Sequence, residues 1–366
     1  MSEDSLLPPR VARMKPYQPG KPVEELEREL GVTNAIKLAS NENPLGPSPR
    51  VIEAVAEAAK RLNVYPDGAA FALRSALASH HEVPLEEIVL GNGSNELIDL
   101  ACRAFPDAND HVVFGKPSFV CYWLGCTAAG VAFTEVPLRE NLHWDLDAMA
   151  AAVTGETKLL FLANPNNPTG SYVGREALER FLKAIPERVV VVLDEAYYGL
   201  ADADDYVSGL ALRQTRERLI VFRTFSKTHG IAGLRVGYAV GPAPLVDAIN
   251  RLRAPFNVNL LGQVGALAAL KDEAHVTRYI AMNGTERTRV SRALSELGLA
   301  VAPSQANFVL VDFGRPGTEV YDLLLRDGVI VRPMPPPIET SLRITIGTPE
   351  QNDRMLAAVA KLTKGD

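Results

Sequence analysis

From residue 51 onward the chain alternates between two hydrophobic rhythms. "VIEAVAEAAKRL" (51–62) and "NELIDLACRAF" (95–105) space their apolar residues three and four apart, which predicts amphipathic helices. Between and after them come short, mainly apolar runs: "HVVFGKP" (111–117), "KLLFLANP" (158–165), "RVVVVLDEA" (188–196) and "RLIVFRTFS" (218–226). These are of strand length and rich in β-branched residues, and they lack a polar face. Strands buried on both sides suit a mainly parallel sheet covered by helices, so the chain reads as α/β.

The rhythm differs at both ends. Residues 1–50 carry "PYQPGKP" and "NENPLGPSPR", proline-rich stretches that predict an irregular arm, with one helix, "VEELEREL" (23–30), between them. From about residue 256 a long helical stretch runs to residue 297. Two strand-like runs follow, "NFVLVDF" and "SLRITIG", and then a last helix, "PEQNDRMLAAVAKL". The expected organisation is an arm (1–45) that joins part of a small domain, a large domain (46–255), and a small α+β domain (256–366). A chain of 366 residues is of the size that usually divides in this way.

The net charge of −6 argues against nucleic acid or an anionic membrane as the main partner. Three cysteines (Cys102, Cys121, Cys126) and six histidines show no metal-ligand spacing, so no metal is expected. The cysteine usage predicts a reducing, cytoplasmic setting, and no secretory leader or membrane span is expected.

Three of the apolar runs end in polar clusters: Asn164 to Gly170 ("NPNNPTG"), Asp194 to Tyr197 ("DEAY"), and Ser226-Lys227. Ligands of open α/β sheets bind at the carboxyl ends of the strands. If the three strands are parallel, Asn167, Asp194, Tyr197 and Lys227 meet in one crevice. A lysine in a partly desolvated pocket has a lowered pKa and serves as an amine nucleophile towards a carbonyl. A buried aspartate needs a cation, which a pyridinium nitrogen supplies. Asparagine and tyrosine donate hydrogen bonds to a phenolate oxygen. Pyridoxal phosphate carries all three of the matching groups. Its phosphate fits "LGNGSNELIDL", where two glycines precede Ser94 and Asn95 at a helix start. Thr224 and Ser226 flank Lys227, and with the forked guanidinium of Arg235 they offer further groups for the same phosphate. Phe119 is placed to stack on a ring. Glu195 reads as a structural acid, and Asn164 and Asn166 as turn-formers that present Asn167.

"NPNNPTG", "DEAYYG", "TFSKTHGIAGLRVGY" and "LRITIGT", in that order and over nearly the whole chain, resemble class I/II aminotransferases of fold type I. "KPYQPGKPVEELERELG", "IKLASNENPLGPSP", "YPDG" (65–68), "ANFVLVD" and "VIVRPM" are similar to the histidinol-phosphate aminotransferase branch of that family. The resemblance implies a large domain with a mainly parallel seven-stranded sheet between helices and a smaller α+β domain. It implies that Lys227 is the Schiff-base lysine and proton shuttle, that Asp194 pairs with the pyridinium nitrogen, and that Asn167 and Tyr197 hold the 3-oxygen. Ser94, Asn95, Thr224, Ser226 and Arg235 would cradle the phosphate, and Tyr65 would reach the phosphate of a neighbouring subunit in a homodimer with shared active sites.

Substrate recognition falls, by the same resemblance, to Tyr17, Arg332 and Arg343. The implied reaction is ping-pong transfer of an amino group between glutamate and imidazole acetol phosphate, giving 2-oxoglutarate and histidinol phosphate, in L-histidine biosynthesis. Histidinol phosphate has no α-carboxylate and glutamate has two carboxylates, so Arg332 and Arg343 are assigned jointly to anionic substrate groups. Where the family usually has a glycine-rich loop after "VIVRPM", this chain has "PPPIET", so a stiff loop is expected beside the substrate. The rival readings are an aromatic amino-acid aminotransferase, a threonine-phosphate decarboxylase, and a regulator that binds the cofactor without catalysis.

Overall fold

The computed structural model describes residues 7–16 and 20–364. Ile36–Lys37 (β1) lies in the N-terminal arm, which also contains a short helix, Pro9–Ala12, that the sequence pattern does not predict, and the expected helix Val23–Leu30. Seven strands follow: Ile88–Gly91 (β2), His111–Lys116 (β3), Ala132–Pro137 (β4), Thr157–Ala163 (β5), Val190–Asp194 (β6), Leu219–Thr224 (β7) and Gly237–Val240 (β8). They form one sheet in the order β2-β8-β7-β6-β5-β3-β4. Only β8 runs antiparallel to its neighbours β2 and β7; the other pairings are parallel.

Alternation along the strands fills both faces of this sheet. On β2, Val89 joins one buried cluster while Ile88 and Leu90 join another. On β8, Ala239 faces the first cluster, and Tyr238 and Val240 face the second. Strands with no wet face are what a continuous apolar run predicts.

Beyond the sheet, the expected single helical stretch is two helices, Leu260–Leu270 and Glu273–Glu296. Asp272 breaks it: the residue leaves helical backbone and its carboxylate caps the second helix at His275 N. Five short strands follow, Ala300–Val301 (β9), Phe308–Asp312 (β10), Val329–Ile330 (β11), Arg332–Pro333 (β12) and Ser341–Thr345 (β13), and the expected last helix, Pro349–Lys364, comes after them. The order β12-β13-β10-β9 makes a four-stranded antiparallel sheet, and β11 pairs in parallel with β1 of the arm. Val309, Val311, Leu342 and Ile344 of that sheet pack in one cluster with Val290, Leu324 and Met355 from three helices. Among the described residues, no helix is long and apolar enough to cross a membrane.

Candidate active site

The expected convergence is present. β5, β6 and β7 are parallel neighbours, and their carboxyl ends open into a cleft of about 410 Å³. Asn167, Asp194, Tyr197 and Lys227 all line it. So do Ser94, Asn95, Phe119, Thr224, Ser226 and Arg235, and from the antiparallel sheet Arg332 and Arg343. Tyr65 does not: it is 79% exposed and stacks on Phe256, with centroids 4.7 Å apart. Tyr17 lies outside the described residues. Pro335, Pro336 and Pro337 are exposed and do not line the cleft. Of that segment, Arg332 lines the cleft.

Asp194 ends β6 and is 4% exposed. Its bonding partners are neutral: Tyr122 Oη donates to Oδ2 at 2.8 Å, and the Ala196 N–H to Oδ1 at 3.2 Å. Burial without a bonded cation lifts its pKa to about 6. Glu195, one residue on, is occupied elsewhere. It pairs with Arg223 at 2.8 Å inside the protein, where the guanidinium also lies over the Tyr198 ring. Its structural reading stands, and that buried pair ties the end of β6 to β7.

Lys227 follows β7 and is half-buried. Its Nζ donates to the Ser40 carbonyl at 3.3 Å. Burial lowers its pKa to about 7, with Arg343 and Arg235 adding to the effect and Glu42 opposing it. A lysine near 7 is an amine in a substantial fraction at neutral pH, as nucleophilic chemistry requires.

The "NPNNPTG" turn is held by its own side chains. Asn164 exchanges hydrogen bonds with Val173, and Asn166 donates to the Pro117 carbonyl and to Thr169 Oγ1. Asn167 is thereby presented to the cleft. Its Oδ1 accepts from Arg343 Nη1 at 2.6 Å, which leaves Nδ2 as the donor of the amide. The second arm of Arg343 donates to the Ala39 carbonyl at 2.7 Å. Arg332 stands directly opposite Arg343 across β12 and β13. Like charges in facing positions destabilise a sheet pair, and an anion between them offsets this.

At the other end, helix Ser94–Ala104 starts at Gly93, which has φ +78 and no side-chain cap. A Cβ at Gly93 would lie 2.4 Å from Arg235 Nη2, so only glycine admits the guanidinium over the helix start. Arg235 itself sits at φ 58, a strained conformation for a residue with a side chain. Ser226 and Thr224 are hydrogen-bonded to each other at 2.9 Å beside it. Uncapped amides, two hydroxyls and a guanidinium are a phosphate-binding set.

The residues therefore fit pyridoxal phosphate: an amine, a buried carboxylate with only neutral bonded partners, an oriented amide donor and an anion cradle. The cleft residues not identified from the sequence include Tyr122 and Asn41. Tyr122 lies three residues beyond Phe119, in the first turn of helix Cys121–Ala129, and meets Asp194 only in the fold. Asn41 in "NENP" carries no signal that separates it from a turn-former.

The family model "Aminotransferase class I and II" matches residues 33–359. The chain belongs to that family, whose members use pyridoxal phosphate. A histidinol-phosphate aminotransferase of Anaeromyxobacter sp. is 47% identical over 359 residues, covering 98% of this chain and 99% of the relative. One of Moorella thermoacetica is 46% identical over 96% of this chain and 92% of its own length. The crystal structure of histidinol-phosphate aminotransferase from Sinorhizobium meliloti in complex with pyridoxal-5′-phosphate superposes with a TM-score of 0.89 at 31% identity, covering 98% of each chain.

Proposed function

We propose that this chain transfers an amino group between glutamate and imidazole acetol phosphate, making histidinol phosphate by a ping-pong route in histidine biosynthesis. The observation that carries the reading is the facing pair Arg332 and Arg343 in the cleft that Lys227 and Asp194 also line. Two guanidiniums suit a substrate that brings a phosphate in one half-reaction and carboxylates in the other.

Pyridoxal phosphate, when bound, supplies an aldehyde that takes up the amino group and a ring that draws electrons from the substrate Cα. The chain's residues do the rest. Asp194 offers a charge to the ring nitrogen, and Asn167 and Tyr197 hold the 3-oxygen. Ser94, Asn95, Thr224, Ser226 and Arg235 hold the phosphate, and Phe119 covers a ring face. Lys227, as the neutral amine, takes the proton from the substrate Cα and returns it on the cofactor side. Arg343 and Arg332 orient the substrate so that this proton faces Lys227.

We also read the working unit as a cytoplasmic homodimer with shared sites. Leu62, Val64, Tyr65 and Phe71 are each at least 60% exposed, an apolar group that a second copy would cover. Light scattering at micromolar concentration is expected to give twice the chain mass.

Steady-state rates test the substrate. Histidinol phosphate is expected to exceed phenylalanine and tyrosine in kcat/KM by 100-fold or more, an estimate of about 3 kcal/mol for a missing phosphate contact. A preference for phenylalanine would make the chain an aromatic aminotransferase, and release of CO2 a decarboxylase.

A further inference from the structure

Asn41 is 1% exposed, lies in the left-handed region at φ 55, and lines the cleft. A non-glycine residue held there is one the surroundings over-determine. Three bonds do so. Its N–H donates to Thr345 Oγ1 at 3.0 Å, Thr345 Oγ1 donates back to Asn41 Oδ1 at 3.1 Å, and Asn307 Nδ2 donates to the Asn41 carbonyl at 3.0 Å. With Oδ1 accepting from Thr345, the amide can present only Nδ2 to its other neighbour, the Tyr197 hydroxyl, at 2.9 Å. The Tyr197 oxygen thus accepts a hydrogen bond from Asn41, which leaves its own proton for another acceptor.

The supports of the two residues are themselves paired. Thr345 on β13 is the register partner of Phe308 on β10. Phe308 packs edge-to-face on the Tyr197 ring, centroids 5.2 Å apart. One cross-strand pair therefore fixes both the Asn41 amide and the Tyr197 ring. It sits two residues from Arg343 on the same strand.

We infer that Asn41 is a positioning residue: by donating to the Tyr197 oxygen it turns the phenol proton into the cleft, making Tyr197 an obligate donor to an anionic ligand oxygen there. This rests on the proposed cofactor reading, in which that oxygen is the 3-oxygen of pyridoxal phosphate. A phenol that accepts one hydrogen bond donates a stronger one.

The test is a spectrophotometric pH titration of the chromophore that pyridoxal phosphate forms on Lys227, which involves no amino-acid substrate. A hydrogen bond to the ionised oxygen favours the unprotonated chromophore, so weakening it raises the midpoint. Asn41→Asp keeps the shape but replaces donor by acceptor, and is expected to raise the midpoint by about one unit and to loosen cofactor about tenfold. Asn41→Gly, which tolerates the left-handed backbone, is expected to raise it by less. In a Tyr197→Phe background the Asn41→Gly shift is expected to vanish. Should both Asn41 variants fail to fold, Thr345→Val frees the amide and is expected to give a smaller rise.

An unchanged midpoint in a variant that folds, or an equal shift in the Tyr197→Phe background, would overturn the inference. A protein that forms no chromophore before any substitution would overturn the cofactor reading, and the inference with it.

Discussion

The Tyr122 hydroxyl donates a 2.8 Å hydrogen bond to Oδ2 of Asp194 from a ring that is fully buried and stacked on Phe161. The phenol is the nearer of the two neutral donors that favour the charged carboxylate, against the burial that raises its pKa to about 6. Tyr122→Phe keeps the ring in its stack and removes the donor. Cofactor affinity is expected to fall about tenfold near pH 7, as for loss of a hydrogen bond to a charged group. The pH below which affinity drops should also move upward. Fluorescence titration of the apoprotein across pH 5–9 measures both.

Asp194 also makes a prediction about stability. Its folded pKa of about 6 lies above its ordinary 3.8, so the native state holds the proton more tightly than the unfolded chain does. Burying the charged form therefore lowers stability fully above pH 6 and not at all below 3.8, by about 3 kcal/mol on linkage. Asp194→Asn removes the charge and keeps an acceptor for the Ala196 N–H. The cofactor-free variant is expected to melt higher than the unsubstituted apoprotein at pH 8, with the gain shrinking as pH falls through 6. Calorimetry of the two apoproteins at several pH values checks this, and the same variant should bind cofactor poorly.

Lys227, with its pKa lowered to about 7, is an amine above that pH and an ammonium below it. The rate at which the apoprotein captures pyridoxal phosphate is expected to rise with pH and level off above about 7. An ordinary lysine would show the rise near 10.5. Lys227→Ala should show no borohydride-stable attachment at any pH. Stopped-flow absorbance and mass spectrometry after reduction read the two outcomes.

Arg343 divides its guanidinium between Asn167 and the Ala39 carbonyl and faces Arg332. Lysine cannot reproduce that fork. Arg343→Lys is expected to lower kcat/KM about 100-fold for glutamate and histidinol phosphate alike, as for truncating a buried charged contact. Arg332→Gln should raise KM with a smaller effect on kcat. Steady-state kinetics with both substrates separate the two arginines.

Much of the framework was legible because it rests on local pattern. The runs that became β3, β5, β6 and β7 each have an apolar centre of strand length, and the polar residues that end three of them are the ones that meet. β2, β4 and β8 gave little signal. "IVLG" and "GYAV" are only four residues long, and "AFTEVP" is the edge strand beside β3, partly polar and mostly half-exposed. The break at Asp272 lacks glycine or proline, and only the capping geometry reveals it. Contacts such as Arg343 to Asn167, 176 residues apart in the chain, exist only once two sheets are folded against each other. Asn41 and Tyr122 were missed for that reason, since each acts through a partner far away in sequence.

The most direct test of the whole account is a single half-reaction. The cofactor-loaded protein is mixed with excess histidinol phosphate and no second substrate, and absorbance is followed in a stopped-flow instrument. The account predicts complete conversion from the pyridoxal to the pyridoxamine form, one per Lys227, at a rate no slower than kcat. Reversal should follow when 2-oxoglutarate is added, and Lys227→Ala should show no conversion on that timescale. Conversion with phenylalanine but not with histidinol phosphate, or at an unchanged rate in Lys227→Ala, would contradict it.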